Sequence, residues 1–469
     1  MSSLNTHYGA AEIAGLLGQG KSVFFVGIGG IHMSSLAMLT LKEGHRVGGS
    51  DRTKTALTER LEAAGVQVFY THEAQHVDGY DVIVFTVAVP EDNPELCEAK
   101  RQNKPVISRA DYLGYLMSSY RHRIGISGMH GKSTTTSMCA QVFIDCKTDP
   151  TVVSGAEMKL MDGAFAEGSK DKDYFLFEAC EYMDSFLDFT PTLAVVLNLE
   201  MDHVDYFKNM EQVSKSFASF VDLTQQNGTE GLTIYNKDDQ WVLRAMQAYT
   251  GRSLTFSMYE GADYYPAHII YERGFAEFDV MEKDSYLCHV ALKIPGMHNV
   301  YNALAAVAAA RVYGLPGEEI GAALTRFEGA RRRMEYKGKF LGADVYDDYG
   351  HHPTEVRTTL KGASDMGYRE VWCVYQPHTY SRTAVLYNQF TEAFNKADHV
   401  LMTDIYAARE ANVFGVSSER LARDIGNKAI YCDSIENAKE YLEQHISPDD
   451  LILVMGAGDI YKIFKMMGF

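Results

Sequence analysis

The sequence has no excess of basic residues. Its 469 residues carry 44 Lys and Arg against 62 Asp and Glu, a formal net charge of −18. The electrostatic footprint of a nucleic-acid-binding protein is missing. A bound polyphosphate would need locally concentrated cations or metal ions. No apolar run approaches the roughly 18–20 residues that span a bilayer. The first stretch, MSSLNTHYGAAEIAGLL, lacks a basic region followed by a long apolar core, so no signal peptide is expected. The seven cysteines, Cys97, Cys139, Cys146, Cys180, Cys288, Cys373 and Cys432, contain no Cys-x-x-Cys pair. Segments such as VWCVY and YLCHV place most of them among apolar neighbours, the pattern of buried free thiols in a reducing cytoplasm. There is no short-period repeat, no low-complexity linker and no evident Ser/His/Asp arrangement.

What is present is a long alternation of strand and helix signals. At ~150 residues per domain the length predicts about three domains, and 46% hydrophobic content is enough for each to bury a core. SVFFVGIGG, HRVGGSD, VQVFY, DVIVFTVAV and KPVISR read as strands, with MSSLAMLTLKEG as a helix between the first two. A second unit starts near Arg121 with RHRIGISG and continues through the strands DYFLFEAC and TLAVVLNLE. The segment from Tyr264 to Gly296 alternates with turn residues and reads as a small antiparallel sheet inserted before the last helices. A third unit starts near Phe327, with strands in ADVYDDY, EVWCVYQP, HVLMTDIY, KAIYC and DDLILVMGAG. The expected architecture is α/β, three consecutive α/β domains over 1–120, 121–326 and 327–469, with mostly parallel sheets covered by helices.

The stretch GISGMHGKSTTT, Gly125 to Thr136, resembles a phosphate loop with unusual spacing. The common loop puts its first glycine five residues before the Gly-Lys pair; here that position is Ile126. Glycines let backbone N–H groups turn toward an anion, and a helix N-terminus adds partial positive charge. Lys132 would reach the β- and γ-phosphates, and Ser133 or Thr134 would offer a hydroxyl to Mg²⁺. Glu178 and Glu181 follow a strong strand and are available to ligate Mg²⁺, although a pair of acids after a strand is by itself more often a solvated loop. NLEMDHVDYF adds Asp202, His203 and Asp205 at another strand end. In PGMHNVYNALAA, His298 and Asn299 sit at a helix start and Asn302 lies on the same face. Amides there can pair with an adenine edge; N-capping is the plainer reading of Asn299. FEGARRRMEYKG places three arginines together, VYDDYGHHPTE offers Asp348, Tyr349, His351 and His352 at a strand tip, and YQPHTYSRT offers His378 and Arg382. The N-terminal GIGGIHMS resembles a dinucleotide fingerprint, with Gly27, Gly29 and Gly30, and Asp51 about twenty residues on. His32 takes the last glycine position.

These motifs, in this order, resemble the Mur ligase family: GMHGKSTT, EACEYMDSF, NLEMDH, PGMHNVYNALA, RRRME and DDYGHHP. That resemblance implies a Rossmann-like N-terminal domain that binds a UDP-sugar, a central P-loop ATPase domain with the small antiparallel insertion, and a Rossmann-like C-terminal domain that closes over both. It implies ATP and Mg²⁺, an acyl-phosphate intermediate, and a role in peptidoglycan precursor synthesis. GIGGIHMSSLA, GGSD, DNPEL and DIYAARE narrow the implied substrates to UDP-N-acetylmuramate and L-alanine, in a cytoplasmic monomer or weak homodimer with no nucleic-acid partner and no membrane insertion. Residue by residue, the Gly27–Gly30 loop would hold the UDP pyrophosphate, and Gly128, Met129, His130, Gly131, Lys132, Ser133 and Thr134 the ATP phosphates. Ser133, Glu178 and His203 would serve the metal sites. His298 would lie near metal and substrate, and Asn299 and Asn302 would bind adenine. Asp348 and Tyr349 would meet the ribose and adenosine, Arg333 would support the nucleotide, and His351 would lie nearer the phosphates. Arg382, beside His378, would take the amino acid or the transferred phosphate. Many relatives carry an arginine at the position of Thr379, and a glycine at that of His32. Several relatives with other substrates carry a carbamylated lysine in the helix after the Asp-His motif; Lys215 lies nearby, and no such modification is predicted for it. A nicotinamide-dependent dehydrogenase built on the N-terminal fingerprint leaves the central loop unexplained.

Overall fold

The structure, a computed structural model, describes residues 6, 8–18, 20–161, 163–204, 206–228, 231–408 and 410–469. Three α/β domains follow one another. The first is a fully parallel five-stranded sheet in the spatial order 67–69, 46–50, 22–26, 82–85 and 106–108. The central strands SVFFV and VIVF are buried at every position, as expected for parallel strands covered on both faces. The strand order reverses direction between 22–26 and 82–85, the switch point at which open α/β sheets bind ligands. The Gly27–Gly30 loop leaves the first of these two strands and runs into the helix Ile31–Lys42.

The central sheet brings together strands 232–236, 193–196, 122–127, 174–178 and 151–158 in parallel, and 163–166 pairs antiparallel with 151–158. The helix Lys132–Asp145 follows the phosphate-loop stretch. The inserted segment is an antiparallel meander of 264–272, 275–282 and 285–291, in agreement with its alternating pattern. The helix His298–Val312 is rich in alanine, and Asn299, Val300 and every residue from Asn302 to Ala310 are buried. Small side chains suit a helix enclosed on all sides. The last sheet has the order 335–340, 343–348, 451–455, 371–375, 399–402 and 429–431, parallel except for its first pair.

By internal contacts the chain forms two compact units, one of residues 1–198, 214–235 and 239–254, the other of 199–213, 236–238 and 255–469. All seven cysteines are free thiols; Cys139, Cys288, Cys373 and Cys432 are buried, and Cys97 is exposed. Among the described residues no helix is long and apolar enough to cross a membrane. The hairpin Thr151–Met158 with Gly163–Ala166 was not evident in the sequence. Its small residues carry a weak strand signal, and pairing with 174–178 supplies what local preference does not.

Candidate functional site

The first unit holds the two glycine loops. Strand 122–127 ends at Gly128, whose φ of +141° no L side chain adopts comfortably. A Cβ there would lie 2.9 Å from Leu197 Cβ. Gly131, the residue before the helix, has φ +84°. Asn198, at the end of the neighbouring strand, pins the loop from outside. Its side-chain oxygen accepts from His130 N–H at 2.8 Å, its amide donates to His130 O at 2.9 Å, and its carbonyl accepts from Met129 N–H at 3.0 Å. Asn198 escaped the sequence reading because a single asparagine after an apolar run has many ordinary explanations. Met129 and Thr134 are buried.

Lys132 points back into its own loop. Its ammonium donates to Gly128 O at 2.6 Å and Met129 O at 3.2 Å, and lies 2.9 Å from Glu181 Oε2. Burial works to lower the lysine's pKa, but the Glu181 carboxylate more than offsets this and the ammonium is held above its usual value. Ser133 Oγ donates to Glu178 Oε2 at 3.2 Å, and Ser154 Oγ and Gly155 N–H meet the other oxygen. Neither acid lies in a solvated loop: Glu178 is 8% exposed and Glu181 1%. The solvated-loop reading of this acidic pair is corrected by the tertiary structure, which turns both carboxylates onto the lysine–serine corner of the phosphate loop.

In the N-terminal loop, Gly27 and Ile28 N–H groups donate to Ser50 O, and Gly29 N–H donates to Asp51 Oδ2 at 2.9 Å. Asp51 Oδ1 accepts from Arg52 and Thr53 N–H. The aspartate therefore braces the glycine loop from the next strand. A Cβ on Gly29 would come within 2.8 Å of that carboxylate. Gly30 caps the helix with extended backbone.

The second unit carries the remaining candidates. Asp202 and Arg382 form a buried ion pair, with Nε and Nη2 each 3.3 Å from Oδ1. Burial alone would raise the Asp202 pKa; Arg382 first, then His203, His352 and His351, pull it well below the carboxylate range. Arg382 Nη1 also donates to His378 Nδ1 at 3.3 Å, and the His351 and His378 rings lie 5.8 Å apart. Burial and the Arg382 charge push His351 down to about 3 and His378 to about 4. Both are neutral at pH 7. His203 has φ +49°, and its carbonyl accepts from Tyr206 and Phe207 N–H. Asp205 lies outside the described residues.

His298 begins its helix, and burial lowers it to about 4. Asn299 is not an N-cap, because the cap residue is Met297 and no side chain bonds there. Its amide instead donates to Pro295 O at 2.8 Å, and its oxygen accepts from Asn302 at 2.9 Å. The two amides thus form one ordered pair. Asp348 accepts from Met334 N–H at 2.9 Å and Gly350 N–H at 2.8 Å. Its burial outweighs Arg333 and these donors and lifts its pKa to about 6. Tyr349 carries the guanidinium of Arg332 at 4.9 Å and that of Arg333 at 5.3 Å from its ring centre. Arg332 was not singled out in the sequence, where the resemblance pointed to its neighbour Arg333.

Sequence profiles place this geometry. The Mur ligase family catalytic-domain profile matches residues 22–121, the Mur ligase middle domain matches 126–310, and the Mur ligase glutamate ligase domain matches 332–458. The chain belongs to the Mur ligase family. It is similar to the UDP-N-acetylmuramate–L-alanine ligase of Caldicellulosiruptor bescii, 42% identical over 95% of this chain and 97% of that protein. The enzyme of the same name from Acetivibrio thermocellus is 42% identical over 95% of each chain. Among solved structures, the UDP-N-acetylmuramate-alanine ligase of Thermotoga maritima superposes with a TM-score of 0.80 at 26% identity, over 95% of this chain and 98% of that one. A murein peptide ligase from Psychrobacter arcticus shares the fold at 24% identity and a TM-score of 0.73, over 96% and 99%. The loop glycines Gly128 and Gly131 fall inside the matched middle domain.

Proposed function

We propose that this Mur ligase joins L-alanine to the lactyl carboxylate of UDP-N-acetylmuramate, with cleavage of ATP to ADP and phosphate, in cytoplasmic peptidoglycan precursor synthesis. The observation that carries the reading is the corner at which Lys132 meets Glu181 and Ser133 meets Glu178, at the end of a glycine loop. It joins a phosphate-binding backbone to oxygen ligands for a hard cation. The identity and full-length coverage of the alanine-ligase relatives support the choice of substrates. We assign residues 1–120 to the sugar nucleotide, 121–326 to ATP and 327–469 to the amino acid.

A carboxylate resists attack by an amine because it is anionic and has no leaving group. One of its oxygens therefore attacks the γ-phosphorus of ATP, ADP leaves, and an acyl phosphate forms. The alanine amine adds to the activated carbonyl, and collapse of the tetrahedral adduct expels phosphate and leaves the amide. Every step gathers anions, so the protein's part is positioning and electrostatic stabilisation. Lys132 and the loop N–H groups from Gly128 to Thr134 serve the ATP phosphates. Asn299, Asn302, Arg333, Asp348 and Tyr349 serve the nucleoside. Arg382 and His378 serve the amino acid or the transferred phosphate, and His298 serves the metal and substrate. Gly27, Gly29 and Gly30, braced by Asp51, take the pyrophosphate of the sugar nucleotide. The oxygen donors of Ser133 and Glu178 fit Mg²⁺, with His203 at a second position. The metal would neutralise charge on the phosphate oxygens. His351 and His378 are neutral but weakly basic, which suits them to accepting hydrogen bonds more than to removing the amine proton.

Phosphate release is the test, with UDP-N-acetylmuramate, Mg²⁺-ATP and a panel of amino acids and one tripeptide. Release that requires the sugar nucleotide and is fastest with L-alanine is expected. A preference for the tripeptide would reassign the chain to peptide ligation.

A further inference from the structure

Arg109 is the first residue of the helix Arg109–Ser118 and directly follows the strand Val106–Ser108. The sheet is parallel, so Arg109 lies at the same edge as the Gly27–Gly30 loop. Its Nη1 donates to His32 Nδ1 at 3.2 Å. Among the described residues, the guanidinium has no carboxylate within ion-pair distance and no other hydrogen-bond partner. His32 is the second residue of the helix that the glycine loop opens. Its Nε2 is buried and meets no hydrogen-bonding atom. An imidazole that accepts at Nδ1 carries its proton on Nε2, so His32 also has an unused donor. Burial first, and the Arg109 charge second, hold His32 down at about 3. The imidazole is therefore a neutral support and adds no second cation. The Arg109 charge also reaches Cys180, beside Glu181 and Lys132; that thiol is raised chiefly by burial and lowered in part by Lys132 and Arg109.

We infer that Arg109, held in place by His32, binds an oxyanion of the sugar nucleotide. A half-buried guanidinium without a countercharge at a ligand-binding sheet edge is satisfied by a ligand oxyanion, which it takes through two parallel N–H bonds. Pyrophosphate and the lactyl carboxylate both present such oxygens. Arg109 is the binding residue. His32 is a positioning residue, occupying one guanidinium N–H so that the others face the ligand. The inference rests on the proposed function, since it assumes that the sugar nucleotide binds this edge.

The test is titration calorimetry on the full chain with UDP-N-acetylmuramate and, separately, with UDP. Arg109→Gln is expected to weaken UDP-N-acetylmuramate about 10- to 100-fold, the range for one charge-assisted bond, with the KM for ATP unchanged. An equal loss for UDP assigns the bond to pyrophosphate; an intact UDP affinity assigns it to the carboxylate. His32→Asn keeps an acceptor and should stay within about 3-fold of the parent, whereas His32→Leu should fall about as far as Arg109→Gln. Melting temperature identifies any variant that fails to fold, and Arg109→Lys, with charge but no fork, then supplies an intermediate loss. Unchanged affinity in Arg109→Gln overturns the inference, and unchanged affinity in His32→Leu removes the positioning role. If the unmodified chain does not bind UDP-N-acetylmuramate, the proposed function fails instead.

Discussion

Replacement of Lys132 by methionine separates fold from chemistry at the phosphate loop. Lys132 and Glu181 have side chains 15% and 1% exposed, and their charged atoms lie 2.9 Å apart. Removing the ammonium leaves a carboxylate that water cannot reach. Breaking a buried pair in this way costs about 3–5 kcal/mol. At roughly 2–4 °C per kcal/mol for a unit of this size, the melting temperature of Lys132→Met should fall by about 6–20 °C. Removing both charges, in Lys132→Met with Glu181→Gln, should restore most of that loss, because a neutral pair is often no less stable than the ionic one. Ligation should not return. Loss of a charge aimed at transferring phosphate lowers turnover on the order of 100- to 1,000-fold. Differential scanning fluorimetry and phosphate release at saturating ATP, on the three proteins, read both quantities. Near-normal turnover in either variant refutes the role of Lys132. A double variant no more stable than the single one refutes the pairing.

Asp202→Asn should destabilise the second unit by about 3–5 kcal/mol, because Arg382 loses its carboxylate in a buried setting; a urea midpoint within error of the parent would contradict this. Asp348 is buried, with a folded pKa of about 6 against an ordinary value of 3.8. The folded state therefore prefers its protonated form, and stability is lost as pH rises from about 4 to about 6, by up to about 3 kcal/mol. Asp348→Asn should flatten the stability–pH curve over that window, and an unaltered slope in urea titrations at pH 4.5 and 7 would count against it. His351 and His378 sit at about 3 and 4, so neither gives an ascending limb near pH 6.5 in kcat/KM for the amino acid. His378→Asn should lower the profile without moving its limb, and a limb that moves would make His378 the titrating group.

The parallel architecture was legible because apolar runs such as SVFFV, VIVF, LAVV and LILVM are buried without interruption. The backbone turns of the glycine loop were legible because glycine at Gly128 and Gly131 answers a backbone requirement that the sequence displays directly. The pairings within the loop were not. Lys132 with Glu181 spans 49 residues, and Asn198 with His130 spans 68. Separations of that length are set by strand adjacency, which periodicity does not encode. Asn299 illustrates the reverse error. A helix start and an amide suggest a cap, yet the helix begins one residue earlier, and the side chain is drawn to Pro295 O and Asn302. The lowered basicity of His351 and His378 was invisible for another reason. Their basicity is fixed by burial and by Arg382, neither of which is local in sequence.

A chain with net charge −18 that is proposed to bind two polyanions has to place its cations with care. In both units cations at candidate positions are held by carboxylates, Lys132 by Glu181 and Arg382 by Asp202, and Arg332, next to the candidate Arg333, is held by Asp347. A bare cation in these half-dry settings would carry a large desolvation cost, which a carboxylate offsets while fixing its direction. The arrangement also constrains how phosphate is bound. The three N–H donors of Lys132 already face Gly128 O, Met129 O and Glu181, so a phosphate oxygen bound there would enter by exchange with one of them. Exchange with Glu181 would free a second buried carboxylate beside Glu178, where oxygen ligands for a hard cation are wanted. Phosphate and metal binding would then favour each other through one displaced side chain. Arg109 stands apart, its guanidinium supported by the neutral imidazole of His32. An imidazole holds the direction of a guanidinium without cancelling its charge, and a cation kept in that condition is ready for an anion without any exchange.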